Sequence, residues 1–205
     1  MSEGPSAQGQ PRQPEHFEEA YKSTPPWDIG KPQPAFAALA RAGAFRGRVL
    51  DAGCGTGEHA LLAAGLGLQT TGIDMVAAAI AKAQEKARQR GLSARFQVGN
   101  ALHLAALGQQ FDTVVDCGLF HVFADPDRQA YVESLTTAVA PGGRYFMLCF
   151  SERQPGDFGP RRVTQAEIRS SFAKGWRVDS IEAVQLIANL DPPEVEAWLA
   201  SLTRI

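Results

Sequence analysis

The stretch Val49-Leu50-Asp51-Ala52-Gly53-Cys54-Gly55-Thr56-Gly57 restricts this chain more than any other part of it. A short apolar run predicts a buried strand, and glycines at alternate positions predict a sharp turn from its carboxyl end into a helix. Glycine also lets a ligand approach backbone where any Cβ would collide. Asp51 arrives before the glycines, and a second acid, Asp74, follows the next apolar run, Gln69 to Ile73. Strand, glycine turn, helix and a second strand ending on an acid make the start of a doubly wound α/β sheet, whose ligands lie beyond the carboxyl ends of the strands.

The alternation continues. Strands are expected at Arg48 to Asp51, Gln69 to Ile73, Ala94 to Val98, Thr113 to Asp116 and Arg144 to Cys149. Helices are expected at Gly57 to Leu66, Val76 to Arg90 with Gly91 as its stop, and Arg128 to Val139. Thr164 to Phe172 reads as a further helix, with Thr164 as N-cap and Glu167 three places on, a capping-box pattern. Trp176 to Ala183 alternates as a strand does. For Ala197 to Thr203 the pattern alone leaves strand and short helix open.

The ligand class follows from spacing and charge. Dinucleotide sites use G-x-G-x-x-G with a pyrophosphate on the helix N-terminus. Here the glycines run G-x-G-x-G and Glu58 comes next, so Asp51 and Glu58 flank the pyrophosphate position and repel it. That argues against a nicotinamide-dependent oxidoreductase. A ligand with an ammonium and a sulfonium suits Asp51, and a ribose with two free hydroxyls suits Asp74. S-adenosylmethionine has all of these.

These residues resemble the class I, Rossmann-like, S-adenosylmethionine-dependent methyltransferases. Val49 to Gly57 is similar to their first motif, Thr71-Gly72-Ile73-Asp74 to the acidic end of the second strand, and Gly99-Asn100-Ala101 to the loop that brackets adenine. Phe111 to Asp116 resembles the fourth strand, and Leu135 to Arg144, ending Ala140-Pro141-Gly142-Gly143-Arg144, the helix and turn before the fifth. The match runs from about residue 45 to 183. It implies a mostly parallel, seven-stranded sheet with an antiparallel C-terminal edge hairpin, which makes Ala197 to Thr203 the last strand. It also implies S-adenosylmethionine as cofactor, held by Asp51, Gly53, Cys54, Gly55 and Gly57, by Asp74 and Met75, by Asn100, Ala101 and Leu102, and by Asp116 and Cys117.

Each functional reading has a bland counterpart. Asp51 can serve the turn amides, and Asp74 can cap the helix that follows. Trp27, within Pro25 to Pro34, either packs over the sheet or belongs to a lid spanning residues 16 to 45, with its indole near the sulfonium. This segment resembles the Trp-acid-x-Gly element of bacterial small-molecule methyltransferases related to thiol, halide and thiopurine methyltransferases. His121 is a packed side chain, a substrate contact or a general base. The Asn/Asp-Pro-Pro-aromatic motif of nucleobase-amine methylation is replaced by Asp116-Cys117-Gly118-Leu119. The loop from Ser151 to Val163 either closes a wall of the substrate pocket or lies in solvent.

At 205 residues and 44% hydrophobic content the chain fits one domain, and its net charge of −2 gives no footprint for nucleic acid. Its three cysteines, Cys54, Cys117 and Cys149, have no C-x-x-C spacing, so no disulfide framework or zinc site is expected. Residues 1 to 15, rich in Gly, Pro, Gln and Ser, are expected to be a disordered tail without the apolar run of a secretory signal. No segment approaches the ~20 apolar residues of a membrane span. The expectation is a cytoplasmic, metal-free enzyme that moves a methyl group by in-line displacement to the O, S or N of a small aromatic or thiol-bearing acceptor. The other reading is an S-adenosylmethionine-binding sensor without transfer.

Overall fold

The computed structural model describes residues 14–205. Its strands are β1 (Arg48–Ala52), β2 (Gln69–Asp74), β3 (Arg95–Val98), β4 (Phe111–Cys117), β5 (Val139–Phe150), β6 (Trp176–Ile187) and β7 (Glu194–Arg204). They form one seven-stranded sheet in the order β3-β2-β1-β4-β5-β7-β6. The first five are parallel, and β7 runs antiparallel to both β5 and β6. The chain winds outward from β1 to β3 and then returns to β4 on the other side of β1. That reversal opens a crevice at the carboxyl ends of β1 and β4.

The helices are α1 (Pro14–Ala20), α2 (Pro34–Arg41), α3 (Glu58–Gly65), α4 (Ala77–Arg90), α5 (Asp125–Ala138) and α6 (Gln165–Ser171), with short 3-10 turns at Ala101–Leu107 and Phe120–Val122. Successive strand residues feed two separate cores, as a pleat requires. Leu50, Val114, Tyr145 and Met147 pack with Tyr131 and Leu135 of α5 on one face. Val49, Val115, Phe146 and Leu148 pack with Phe36 and Ala40 of α2 on the other. Central strands covered on both faces carry adjacent apolar residues, as Val49-Leu50 in β1 and Val114-Val115 in β4 do.

α4 is Ala-rich, buries Ala79, Ile80, Ala83 and Ala87 on one stripe, and ends at Gly91, whose φ of +62° suits glycine. Gly57 has a packing role: at φ +87°, a Cβ there would lie 2.8 Å from the Phe96 ring and 2.9 Å from Ala83. The capping box at Thr164 is present, with the Thr164 side chain accepting from the Glu167 amide and Glu167 accepting from the Thr164 amide.

Several boundaries differ from the sequence expectation. The expected tail mostly lies outside the described residues, but Pro14 and Glu15 already belong to α1. α5 begins at Asp125, before the expected Arg128, because Pro126 occupies its first turn, where a missing amide hydrogen costs nothing. β5 begins at Val139, which pairs with Phe111 before the Pro141-Gly142-Gly143 excursion and resumes pairing at Arg144 with Thr113. β6 extends to Ile187, past the expected Ala183. The segment at 197 to 203 is strand and not helix, since β7 finds a partner along each edge.

Candidate active site

A cavity of about 640 Å³ opens at the carboxyl ends of β1, β2 and β4. Gly53, Cys54, Gly55, Asp74, Met75, Asn100, Ala101 and Leu102 line one half of it. Asp74 accepts the Gly55 amide at 2.9 Å through one oxygen and the Val76 amide at 2.9 Å through the other. It thereby ties the glycine turn to the end of β2, while the N-cap of α4 is Val76. Burial raises its carboxyl above the usual range. Asn100 caps the 3-10 turn after β3, accepting the Leu102 amide at 2.9 Å.

Asp51 sits behind this half, 1% exposed. Its Oδ2 accepts the Ala60 amide at 2.9 Å, while Oδ1 is one of the buried side-chain atoms without a hydrogen-bond partner among the described residues. Burial, with the charges of Asp74 and Asp116 adding to it, pushes its carboxyl up to about 7.

Three expected ligand contacts do not line the cavity: Asp51 lies behind it, and two more are placed elsewhere. Gly57 packs against Phe96 and Ala83 rather than lining the cavity. Asp116 is fully buried and turns away into a cage of hydrogen bonds with Tyr131 and Tyr145. The charge assigned to Glu58 is also answered from outside. Burial disfavours that carboxylate, but Arg90 in a two-point pair and Lys86 at 2.8 Å hold it below its usual range. Of the two acids read as repelling a pyrophosphate, Asp51 is the one without such partners among the described residues.

The segment before α2 lies over the glycine turn. The Trp27 indole donates to the Tyr21 hydroxyl at 3.1 Å, and both rings line the cavity. The Tyr21 hydroxyl stands so close over Gly55 that a Cβ there would lie 2.6 Å from it. Burial, then the Asp74 charge, raises the Tyr21 hydroxyl well above the phenol range. Thr56 donates to Asp28 at 3.0 Å, and Lys86 donates to Thr56 at 2.7 Å. At the far end Gln33 exchanges two hydrogen bonds with the backbone of Ile187, and the Asn189 amide donates to the Pro26 carbonyl at 2.7 Å. Tyr21 was missed in the sequence, although Phe17 and Tyr21 stand one helical turn apart as an apolar stripe does.

The other half is apolar. Cys117, Gly118, Leu119, His121 and Phe123 line it from the turn after β4, Phe150, Phe158 and Pro160 from β5 and the loop beyond, and Leu186, Ala188 and Leu190 from the hairpin. The loop is tied down by Arg161, which pairs with Asp125 and Glu167, and by Arg162, which stacks over Phe150 and Phe158. His121 is buried, edge-on to the Phe150 ring at 5.1 Å, and its Nδ1 accepts the Phe150 amide at 3.0 Å. An accepting Nδ1 assigns the proton of the neutral ring to Nε2, so the imidazole carries a donor at that nitrogen. Among the described residues no group of three or more His, Cys, Asp or Glu side chains is placed to hold a metal ion, and no helix is long and apolar enough to cross a membrane.

Comparison with known proteins agrees with this geometry. Residues 49–143 match the family model described as a methyltransferase domain. A 2-heptyl-1-hydroxyquinolin-4(1H)-one methyltransferase from Mycobacteroides abscessus is 37% identical over 186 residues, covering 85% of this chain and 82% of its own. A solved structure described for the conversion of a disulfide bond into a thioacetal group during echinomycin biosynthesis has a TM-score of 0.86 at 38% identity, covering 94% of this chain and 93% of that one. The magnesium protoporphyrin IX methyltransferase of Synechocystis PCC 6803, solved with S-adenosylmethionine bound, shares the fold with a TM-score of 0.66 at 20% identity, over 92% of this chain and 80% of that one.

Proposed function

We propose that this chain, which belongs to the class I S-adenosylmethionine-dependent methyltransferases, methylates an O, S or N atom of a small aromatic or heteroaromatic molecule that His121 receives as a hydrogen-bond donor. The observation that carries this reading is one continuous cavity, lined by Gly53, Gly55 and Asp74 at one end and by Phe123, Phe150, Phe158 and His121 at the other.

The residues present fit the methyl donor. Asp51 Oδ1, a buried acceptor behind the cavity wall without a hydrogen-bond partner among the described residues, would serve an ammonium through water or after a small shift of the glycine turn. Asp74 can serve ribose hydroxyls while keeping its two backbone bonds, because a carboxylate has about four lone-pair sites. Gly53 and Gly55 leave the backbone open, Met75 and Asn100 to Leu102 would flank an adenine, and Trp27 and Tyr21 would offer aromatic faces to a sulfonium. S-adenosylmethionine, when bound, supplies a methyl group already activated on a sulfonium.

What remains for the protein is to bind, align and dry the acceptor. Correct orientation alone can supply ~7 to 11 kcal/mol of such a barrier. The general-base reading of His121 is the weaker one, since the neutral ring holds its proton at Nε2 and spends the Nδ1 lone pair on Phe150. A donor to an anion is worth ~1.5 to 3 kcal/mol and favours an acceptor that ionises unaided, such as an aryl thiol or an acidic ring hydroxyl. The Mycobacteroides relative acts on a heteroaromatic with a hydroxyl on the ring system, which supports the same class.

The test is transfer from methyl-labelled S-adenosylmethionine to a panel of hydroxy-heteroaromatics, aryl thiols and phenols, with RNA and an unstructured peptide alongside. Label on the ionisable aromatics is the expected result. Label on RNA or peptide alone overturns the acceptor class.

A further inference from the structure

Asp116 does not line the cavity, yet it collects four donors, two hydroxyls and two backbone amides. Its Oδ2 accepts the Tyr145 hydroxyl at 2.7 Å, the Tyr131 hydroxyl at 3.0 Å and the Phe120 amide at 3.2 Å, and its Oδ1 accepts the Leu119 amide at 2.8 Å. Asp116 stands near the end of β4, Tyr145 on β5 and Tyr131 on α5, and all three side chains are fully buried. The two amides belong to the turn that carries His121.

Burying a carboxylate and two phenols costs more than burying hydrocarbon of the same shape, so packing alone does not explain the choice. Apolar contact already anchors the turn, since Phe120 is stacked against Phe172 at 5.8 Å. What apolar contact cannot set is the direction of the Leu119 and Phe120 amides, and with them the azimuth of the next residue. β5 then fixes the imidazole a second time through the Phe150 amide on Nδ1. Tyr145 and Phe150 lie on the same strand, so turn and ring are aligned against one rigid reference.

We propose that Asp116, held by Tyr131 and Tyr145, is a positioning residue that aims His121 at the methyl acceptor. This rests on the reading of His121 as an acceptor contact. Burial pushes the Asp116 carboxyl up to about 6, against the pull of the Tyr145, Leu119, Tyr131 and Phe120 donors, so the cage is what keeps the acceptor-only form available near neutral pH. Asp116 acts only through the turn and touches no reacting atom.

The experiment uses the full chain with the substitutions Asp116→Asn, Tyr145→Phe and the pair Tyr131→Phe with Tyr145→Phe. Acceptor kcat and KM, S-adenosylhomocysteine affinity, melting temperature and the imidazole ¹⁵N shifts of His121 are measured together. Asp116→Asn is expected to lower acceptor kcat/KM by about tenfold or more, to leave S-adenosylhomocysteine affinity within about twofold, and to move the His121 nitrogens away from a single Nε2–H tautomer. Tyr145→Phe gives a smaller loss of the same kind, and the double tyrosine variant approaches Asp116→Asn. If Asp116→Asn does not fold, the tyrosine variants decide the matter. Turnover that falls only with the folded fraction, with His121 signals unchanged, overturns the proposal while leaving the function intact. If His121→Gln itself leaves acceptor kinetics unchanged, the functional reading fails and takes this inference with it.

Discussion

Gly53, Gly55, Asp74 and Asn100 reach the cavity from the carboxyl ends of parallel strands or the turns just after them, whereas Trp27, His121, Phe158 and Leu186 are gathered from four distant places. In the first half a strand end aims each group, and backbone amides tie neighbour to neighbour, as Asp74 does with Gly55. In the second half the ties span the chain: Gln33 to Ile187, Asn189 to Asp28, Arg161 to Asp125. On the proposed function, the two kinds of construction teach that a donor site can be written as a local motif, while an acceptor site is a property of the assembled fold.

If the glycine turn is as rigid as this contrast requires, Gly57→Ala should be the most damaging single change. Its φ of +87° costs a Cβ-bearing residue ~1 to 2 kcal/mol, and displacing Phe96 costs ~1 to 3 more. Urea unfolding should therefore lose about 2 to 5 kcal/mol. A loss under about 0.5 kcal/mol would show that the turn yields.

Asp74→Ala should come next and should fall on the donor alone. Loss of charge-assisted bonds worth ~1.5 to 3 kcal/mol weakens S-adenosylhomocysteine by roughly ten- to a hundredfold. Calorimetry on the folded variant reads this. Unchanged affinity would return Asp74 to a purely structural role at the turn.

A smaller effect is pH-dependent. Because burial raises Asp51 to about 7, the folded protein binds its proton more tightly than the unfolded chain does, and this group's contribution to stability falls as pH rises from about 4 to 7. A ligand ammonium favours the charged form. Affinity for S-adenosylhomocysteine should accordingly rise with pH up to about 7 and then level off, and Asp51→Asn should remove that slope. A slope that persists in the variant would assign it to another group.

The smallest effect concerns the cover over the glycine turn. Asp28→Asn weakens the link through Thr56 and Lys86, a partly buried pair worth ~0.5 to 1 kcal/mol, so S-adenosylhomocysteine should dissociate about two- to fivefold faster in stopped flow with little change in melting. A melting loss without a change in dissociation would make the segment part of the core.

The contrast also explains what could be read before the fold was known. Val49 to Gly57 and Asp74 were legible because strand, turn and acid lie within one stretch and their geometry is set by neighbours. The Thr164 capping box was legible for the same reason. Asp116 was legible as a position but not as a role, because Tyr131 and Tyr145 come from other elements and leave no local trace. Glu58 was misjudged on the same ground, since Lys86 and Arg90 sit on the next helix. The last strand was ambiguous on pattern because β7 is buried between two partners and its Ala197 to Leu202 stretch need not alternate.

The two halves share a cavity but can be disturbed separately, and His121→Gln tests this most directly when acceptor kcat/KM and S-adenosylhomocysteine Kd are measured on the same preparation. The expected result is a loss in acceptor kcat/KM of about ten- to a hundredfold, from one charge-assisted hydrogen bond, with Kd unchanged within about twofold. Equal weakening of both would contradict it, because His121 would then support the donor turn rather than meet the acceptor.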